Sequence, residues 1–233
     1  MSEPTLILVH GAWHGAWCWR DLGAELDRRG VAWRALDLPS AHDIGAGTND
    51  LESDADAVAS VADVEGPVVL VGHSYGGAVI SEAASRVNQL AGLVYVAALV
   101  PGPGQSASQA SRVVRVRTVL DEAMEVDGPF LRLDSDRAIA GLYHECSPEQ
   151  QQWAAGLLGR QTLASFRGVR RAPDTGAPSR YLLCQHDRAL DPSLQERMAE
   201  NCDEVTELSS DHSPFLSHPA ECADAILDFA RKA

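Results

Sequence analysis

The first chemical signal in this 233-residue chain is Gly72-His73-Ser74-Tyr75-Gly76-Gly77. A serine hydroxyl set between glycines suits nucleophilic attack on a carbonyl. It needs a sharp turn that exposes Oγ and a base that takes its proton. Glycines on both sides let the backbone pass close to itself at such a turn. A Gly-x-Ser-x-Gly pattern occurs by composition alone in about one chain in ten of this length, so its context decides its meaning. Here the apolar run Pro67–Val71 precedes it and a helical pattern, Ala78–Arg86, follows. Strand, turn and helix together lift a serine above a sheet edge and aim a helix N-terminus at the reacting centre.

Eight histidines are available as the base. His10 and His14 lie where the first apolar run exits, and His42 lies in a polar loop. His73 adjoins the serine and is expected to point elsewhere, while His144 and His186 lie further along the chain. His212 stands in Ser210-Asp211-His212-Ser213-Pro214, directly after the last strand-like run. A loop there can reach over the sheet edge, which makes His212 the expected base and His218, at the next helix start, its rival. A serine on such a turn is followed along the chain by an acid and then a histidine. Asp187 comes after the preceding strand-like run and is the expected acid. Asp191, beside Pro192, is explained as a helix N-cap, and Asp211 adjoins His212 too closely in sequence to face its ring. Two N–H donors are needed for the oxyanion, and the amides of Tyr75 and Ala12 are the candidates. Trp13 would wall the substrate pocket, although it belongs to a tryptophan group with Trp17 and Trp19 that packing explains equally well.

The elements that must position these residues follow an alternating rhythm. Apolar runs at Thr5–His10, Val31–Leu36, Pro67–Val71 and Leu90–Leu99 are separated by helical patterns at Trp17–Arg29, around Leu51 to Val61, and at Ala78–Arg86. This predicts an α/β fold, a mostly parallel central sheet flanked by helices. From about Gly104 to Pro178 the rhythm breaks and only helical stretches are expected: Val113–Glu125, Asp136–Leu142 and Pro148–Phe166. It resumes with Tyr181–Cys184, Pro192–Ala199, Val205–Leu208 and Pro219–Ala230. Residues 1–103 and 179–233 are therefore expected to form the core and 104–178 a helical cap. Trp153, Leu157, Leu158 and Phe166 would serve as apolar pocket walls or as the cap's own core.

Composition excludes several functions. Hydrophobic residues make up 45% and charged residues 22%, an ordinary globular balance. A net charge of −14 repels phosphate backbones and anionic lipid, so neither nucleic acid nor a membrane surface is an expected partner. The whole of that charge lies outside 104–178, where nine arginines balance nine acids. Those arginines read as a solvated surface, or alternatively as a means of holding an acidic group on a substrate. No basic n-region precedes the first apolar run and no run approaches the roughly 20 residues of a membrane span. The five cysteines are widely spaced without a Cys-x-x-Cys pair, which suits reduced thiols in a cytoplasmic protein without a metal site.

With His10-Gly11-Ala12-Trp13-His14-Gly15-Ala16-Trp17-Cys18-Trp19, Gly72 to Gly77, Asp187-Arg188-Ala189-Leu190 and Asp211 to Pro219 taken together, the chain resembles a subfamily of the α/β-hydrolases. That subfamily contains plant methyl-salicylate and methyl-jasmonate esterases, hydroxynitrile lyases and small bacterial esterases. The resemblance implies a sheet lacking the fold's first two strands, a cap over the site, Ser74, Asp187 and His212 as catalytic triad, and Ala12 and Tyr75 as oxyanion donors. The lyases carry a threonine and a lysine where this chain has Gly11 and Ser213, so ester hydrolysis is implied over cyanohydrin cleavage. The implied reaction is attack by Ser74 on a small ester and hydrolysis of the acyl-enzyme, with no cofactor. A lyase, a cofactor-independent oxygenase or a ligand receptor on the same scaffold are the alternatives. Neither the natural substrate nor the oligomeric state is legible.

Overall fold

The computed structural model describes residues 3–41 and 46–233; His42 lies outside the described residues. Strand β1 (Thr5–Val9) is an unbroken apolar run with four of five residues buried, as expected of a strand covered on both faces. Helix α1 (Arg20–Arg28) turns Leu22 and Leu26 to the core. It is followed by β2 (Trp33–Leu36) and by α2 (Leu51–Val61), which starts at Asp50, whose carboxylate accepts the amides of Glu52 and Ser53. Next come β3 (Val68–His73), buried throughout, α3 (Gly76–Ala83) and β4 (Leu90–Val96).

After β4 the chain leaves the sheet through α4 (Ala107–Ala110), α5 (Val119–Ala123), β5 (Met124–Asp127), β6 (Phe130–Leu133), α6 (Ser135–Leu142), α7 (Pro148–Ala155), β7 (Gln161–Thr162) and α8 (Leu163–Arg167). It returns as β8 (Ser179–Cys184), α9 (Pro192–Ala199), β9 (Glu204–Leu208), α10 (Pro214–Ser217) and α11 (Pro219–Ala230). The main sheet has the order β2-β1-β3-β4-β8-β9 and every pairing in it is parallel. The predicted α/β architecture is therefore present. In a parallel sheet all carboxyl ends open on one edge, where ligands bind. The loops bearing Ala12, Ser74, Asp187 and His212 follow β1, β3, β8 and β9 on that edge.

The segment after β4 departs from the helical expectation. Strands β5, β6 and β7 form a second, antiparallel three-stranded sheet. The expected helix over Val113–Glu125 is reduced to α5, because the chain turns back at Gly128-Pro129 with Asp127 paired to Phe130. Gly128 takes φ +58, the conformation that a two-residue hairpin turn demands of its first central residue. Helix α7 likewise stops at Ala155, before Gly156 and Gly159, and the chain then supplies β7. Among the described residues no helix is long and apolar enough to cross a membrane.

Candidate active site

Ser74 occupies the turn between β3 and α3 at φ +52, a left-handed conformation that costs a non-glycine residue about 1–3 kcal/mol. Its neighbours hold it there. Its N–H donates to Val96 O at 3.1 Å, and its carbonyl accepts from Gly77 N at 3.1 Å and Leu99 N at 3.0 Å. The flanking glycines are required by contact. A Cβ on Gly72 would lie 2.6 Å from Gly76 O, and one on Gly76 would lie 2.5 Å from Val9 O. Gly11 is confined in the same way, since a Cβ there would come within 2.9 Å of Ser74 Cβ and 2.8 Å of His73 Nδ1.

His212, buried in the loop after β9, donates from Nδ1 to Asp187 Oδ2 at 2.6 Å. Asp187 is buried after β8, and its other oxygen accepts the amides of Ala189 at 2.7 Å and Leu190 at 2.8 Å. Gln195 of α9, fully buried, donates to Asp187 Oδ2 at 2.9 Å and accepts the Cys184 amide at 2.9 Å. The carboxylate thus has fixed partners on each oxygen, and the bond to Nδ1 leaves the imidazole Nε2 as the basic nitrogen. Asp191 instead caps α9, accepting the Ser193 amide at 2.9 Å. Asp211 braces the loop from the other side, accepting from Ser213 N, Ser217 Oγ and Glu145 N. Ser74 and His212 line one cavity of about 800 Å³, within the range of small-molecule sites. Among the described residues no hydrogen bond joins Ser74 Oγ to the ring; such bonds commonly tighten only around a substrate.

Three further histidines lie behind the site, and their partners fix their tautomers. His73 donates from Nε2 to the His212 carbonyl at 2.9 Å, bracing the His212 loop from beneath. Burial, reinforced by the neighbouring His212 and His14, pushes its pKa well below the usual histidine range, so the ring is neutral. His14 donates from Nδ1 to Ala12 O at 2.8 Å and accepts from the Tyr143 hydroxyl at 2.7 Å. Burial lowers its pKa to about 3. His10 accepts the Leu38 amide at 3.0 Å. The loop that carries Ala12 is therefore tied both to the core and, through Tyr143, to the end of α6.

Among the described residues the N–H groups of Ala12 and Tyr75 donate to no protein acceptor. Both residues are buried, so these two amides remain open to an oxyanion at the site. The Tyr75 side chain points away from the cavity and donates to Asp54 Oδ2 at 2.8 Å. Asp54 also accepts the Ser40 amide and hydroxyl, and Gln161 of β7 donates to Ser40 Oγ at 2.6 Å.

Trp13, at φ +64, lines the cavity and donates from Nε1 to Leu131 O at 3.1 Å. Phe166 of α8 lines it as well. Trp153 and Leu157, proposed from sequence as pocket walls, are not brought to it. The Trp153 ring packs edge-on against Trp17, 5.4 Å between centroids, with the Arg20 guanidinium 3.8 Å above it. Leu157 is 42% exposed beyond the end of α7. The phase of α7 sends Trp153 to the junction with the segment after β1. Sequence reasoning did not single out Gln195, Tyr143, Asp54 or the bracing role of His73; each acts through buried hydrogen bonds between residues distant in the chain. Among the described residues no group of three or more histidines, cysteines and carboxylates is placed to hold a metal ion.

Residues 6–225 match the profile of the alpha/beta hydrolase family, and the chain belongs to that family. A methyl jasmonate esterase of Vitis vinifera is 32% identical over 95% of this chain and 95% of its own length. An alpha/beta hydrolase of Aspergillus novofumigatus is 29% identical over 100% of this chain and 97% of its own. The crystal structure of a pyrethroid hydrolase from Sphingobium faniae superimposes with a TM-score of 0.85 at 27% identity, covering 98% of this chain and 97% of that one.

Proposed function

We propose that this chain is a serine hydrolase that cleaves small carboxylic esters through an acyl-enzyme intermediate on Ser74. The observation that carries the reading is the buried His212–Asp187 hydrogen bond of 2.6 Å, with His212 on the wall of the cavity that Ser74 also lines. Ser74 Oγ attacks the ester carbonyl while His212 Nε2 takes its proton, and the amides of Ala12 and Tyr75 receive the oxyanion. His212 then returns the proton to the departing alkoxide. Water, deprotonated by the same base, releases the acid and restores Ser74. Asp187 holds the tautomer that leaves Nε2 basic and stabilises the imidazolium as it forms.

Residues 104–178 act as the cap and residues 1–103 with 179–233 as the hydrolase core. The ties from Tyr143 to His14 and from Leu131 to Trp13 support this division, because they let the cap hold the oxyanion loop. The five free cysteines support a reducing, cytoplasmic setting. The reading is tested by hydrolysis of p-nitrophenyl acetate. Wild type is expected to turn it over, and Ser74→Ala to fall to the uncatalysed rate. Equal activity in the two proteins would overturn it.

A further inference from the structure

Four arginines, Arg112, Arg115, Arg117 and Arg167, line the cavity that contains Ser74, in a chain whose net charge is −14. All four are exposed, so they form the solvent-facing rim. Elsewhere the arginines of this acid-rich protein commonly find carboxylates: Arg86 meets Glu52, Asp56 and Glu82, and Arg180 meets Glu204 and Asp228. At the rim only Arg117 has an ion-pair partner among the described residues, Glu122 at 3.7 Å. Two aspartates share the lining, and both are committed to helix caps. Asp121 accepts from the amide and hydroxyl of Thr118, and Asp191 from those of Ser193. The cavity therefore has a surplus of cations at its mouth. Like charges gathered around a low-dielectric opening focus a positive field and attract an anion. Deeper in, Met124, Phe166 and Leu194 offer apolar walls.

We propose that the substrate of this site carries an ionised carboxylate in addition to its ester, and that Arg112, Arg115 and Arg167, which have no ion-pair partner among the described residues, bind that carboxylate while the ester lies at Ser74. The inference rests on the esterase reading above. The substrate class is a monoester of a dicarboxylic acid, or an ester whose alcohol part bears the acid group, with an apolar body between the two ends. Guanidinium suits the role because its planar fork matches a carboxylate and stays charged at every working pH.

Two matched pairs of esters test this. Mono-p-nitrophenyl glutarate against p-nitrophenyl valerate places the anion on the acyl side. 4-Acetoxybenzoate against phenyl acetate places it on the alcohol side. In low salt the anionic member of at least one pair is expected to have a kcat/KM about tenfold or more above its neutral partner. That ratio should collapse towards one in 0.5 M sodium chloride and in the combined variant Arg112→Gln, Arg115→Gln, Arg167→Gln. A control with the same change in net charge, Arg34→Gln with Arg197→Gln and Arg231→Gln, should keep the ratio. Neutral esters cleaved as well as anionic ones in both pairs, or a ratio lost equally in the control, would overturn the proposal while leaving the esterase reading intact. Should no ester turn over, the esterase reading falls. Calorimetric titration of Ser74→Ala with the same pairs then decides the arginine site separately: tighter binding of the anion supports it, and equal binding refutes it.

Discussion

Asp54 offers a sharp test of how the site is held from below. It stands in α2 with no exposure and accepts from Ser40 and from the Tyr75 hydroxyl. Burial raises its pKa from 3.8 to about 6, although the hydrogen bonds from Ser40 and Tyr75 pull the other way. Over the window between those values the folded protein keeps a proton that the unfolded chain has released, so stability falls as pH rises. A difference of about two pH units at about 1.4 kcal/mol each gives a loss of about 3 kcal/mol, complete above about pH 7. Asp54→Asn removes this contribution. The amide also changes the hydrogen bonding, but that offset does not vary with pH. Urea unfolding of both proteins from pH 4 to pH 8 at fixed salt gives the stability of wild type minus that of the variant. This difference is expected to fall by about 2 kcal/mol between pH 4 and pH 7, the rest of the loss lying below pH 4, and then to level. A flat difference, or one that rises with pH, would refute the claim that burial outweighs hydrogen bonding at the Asp54 carboxyl beneath Tyr75.

The acid assignment separates two nearby residues: Asp187→Asn should lower kcat by about 1,000- to 10,000-fold by disturbing the His212 tautomer. Asp191→Asn should leave kcat within about twofold, because asparagine caps a helix as well as aspartate does; the reverse pattern would move the acid to Asp191. Gln195→Ala strips partners from Asp187 Oδ2 and from the buried Cys184 amide, and should cost about 2 kcal/mol or more in urea unfolding. Because it also frees the carboxylate to move, kcat should fall with little change in KM; unaltered kcat would show that Gln195 is only structural. Gly76→Ala, whose Cβ would press on Val9 O, should cost about 3 kcal/mol and lower Tm by roughly 10 °C in a thermal melt.

The sheet and its order of use were legible because strands buried on both faces write themselves as apolar runs, as in Thr5–Val9 and Val68–Val71. The placement of Ser74, Asp187 and His212, each after a strand on the same sheet edge, was legible by a related route, and their chemical roles are those proposed above. The second sheet was not. Its strands are short, β5 is largely exposed, and Val126, 71% exposed, faces solvent in an element whose pairing comes from a turn at Gly128. Sequence alone leaves Trp153 between pocket wall and cap core, because hydrophobicity says that a side chain is covered without saying by what. The supporting residues escaped for a third reason. Gln195, Tyr143 and Asp54 are ordinary polar residues in sequence, and only the folded chain brings them to Asp187, His14 and Tyr75.

Ser74 as the nucleophile is the assignment on which the proposed chemistry depends. Incubation with a serine-directed fluorophosphonate, followed by peptide mass analysis, measures this without any assumption about substrate. The predicted result is a single covalent adduct on Ser74, formed by wild type and abolished in Ser74→Ala, with labelling strongly slowed in a His212→Ala variant that keeps the serine but lacks the base. Failure of folded wild type to label, or an adduct on another residue that persists in Ser74→Ala, would contradict it.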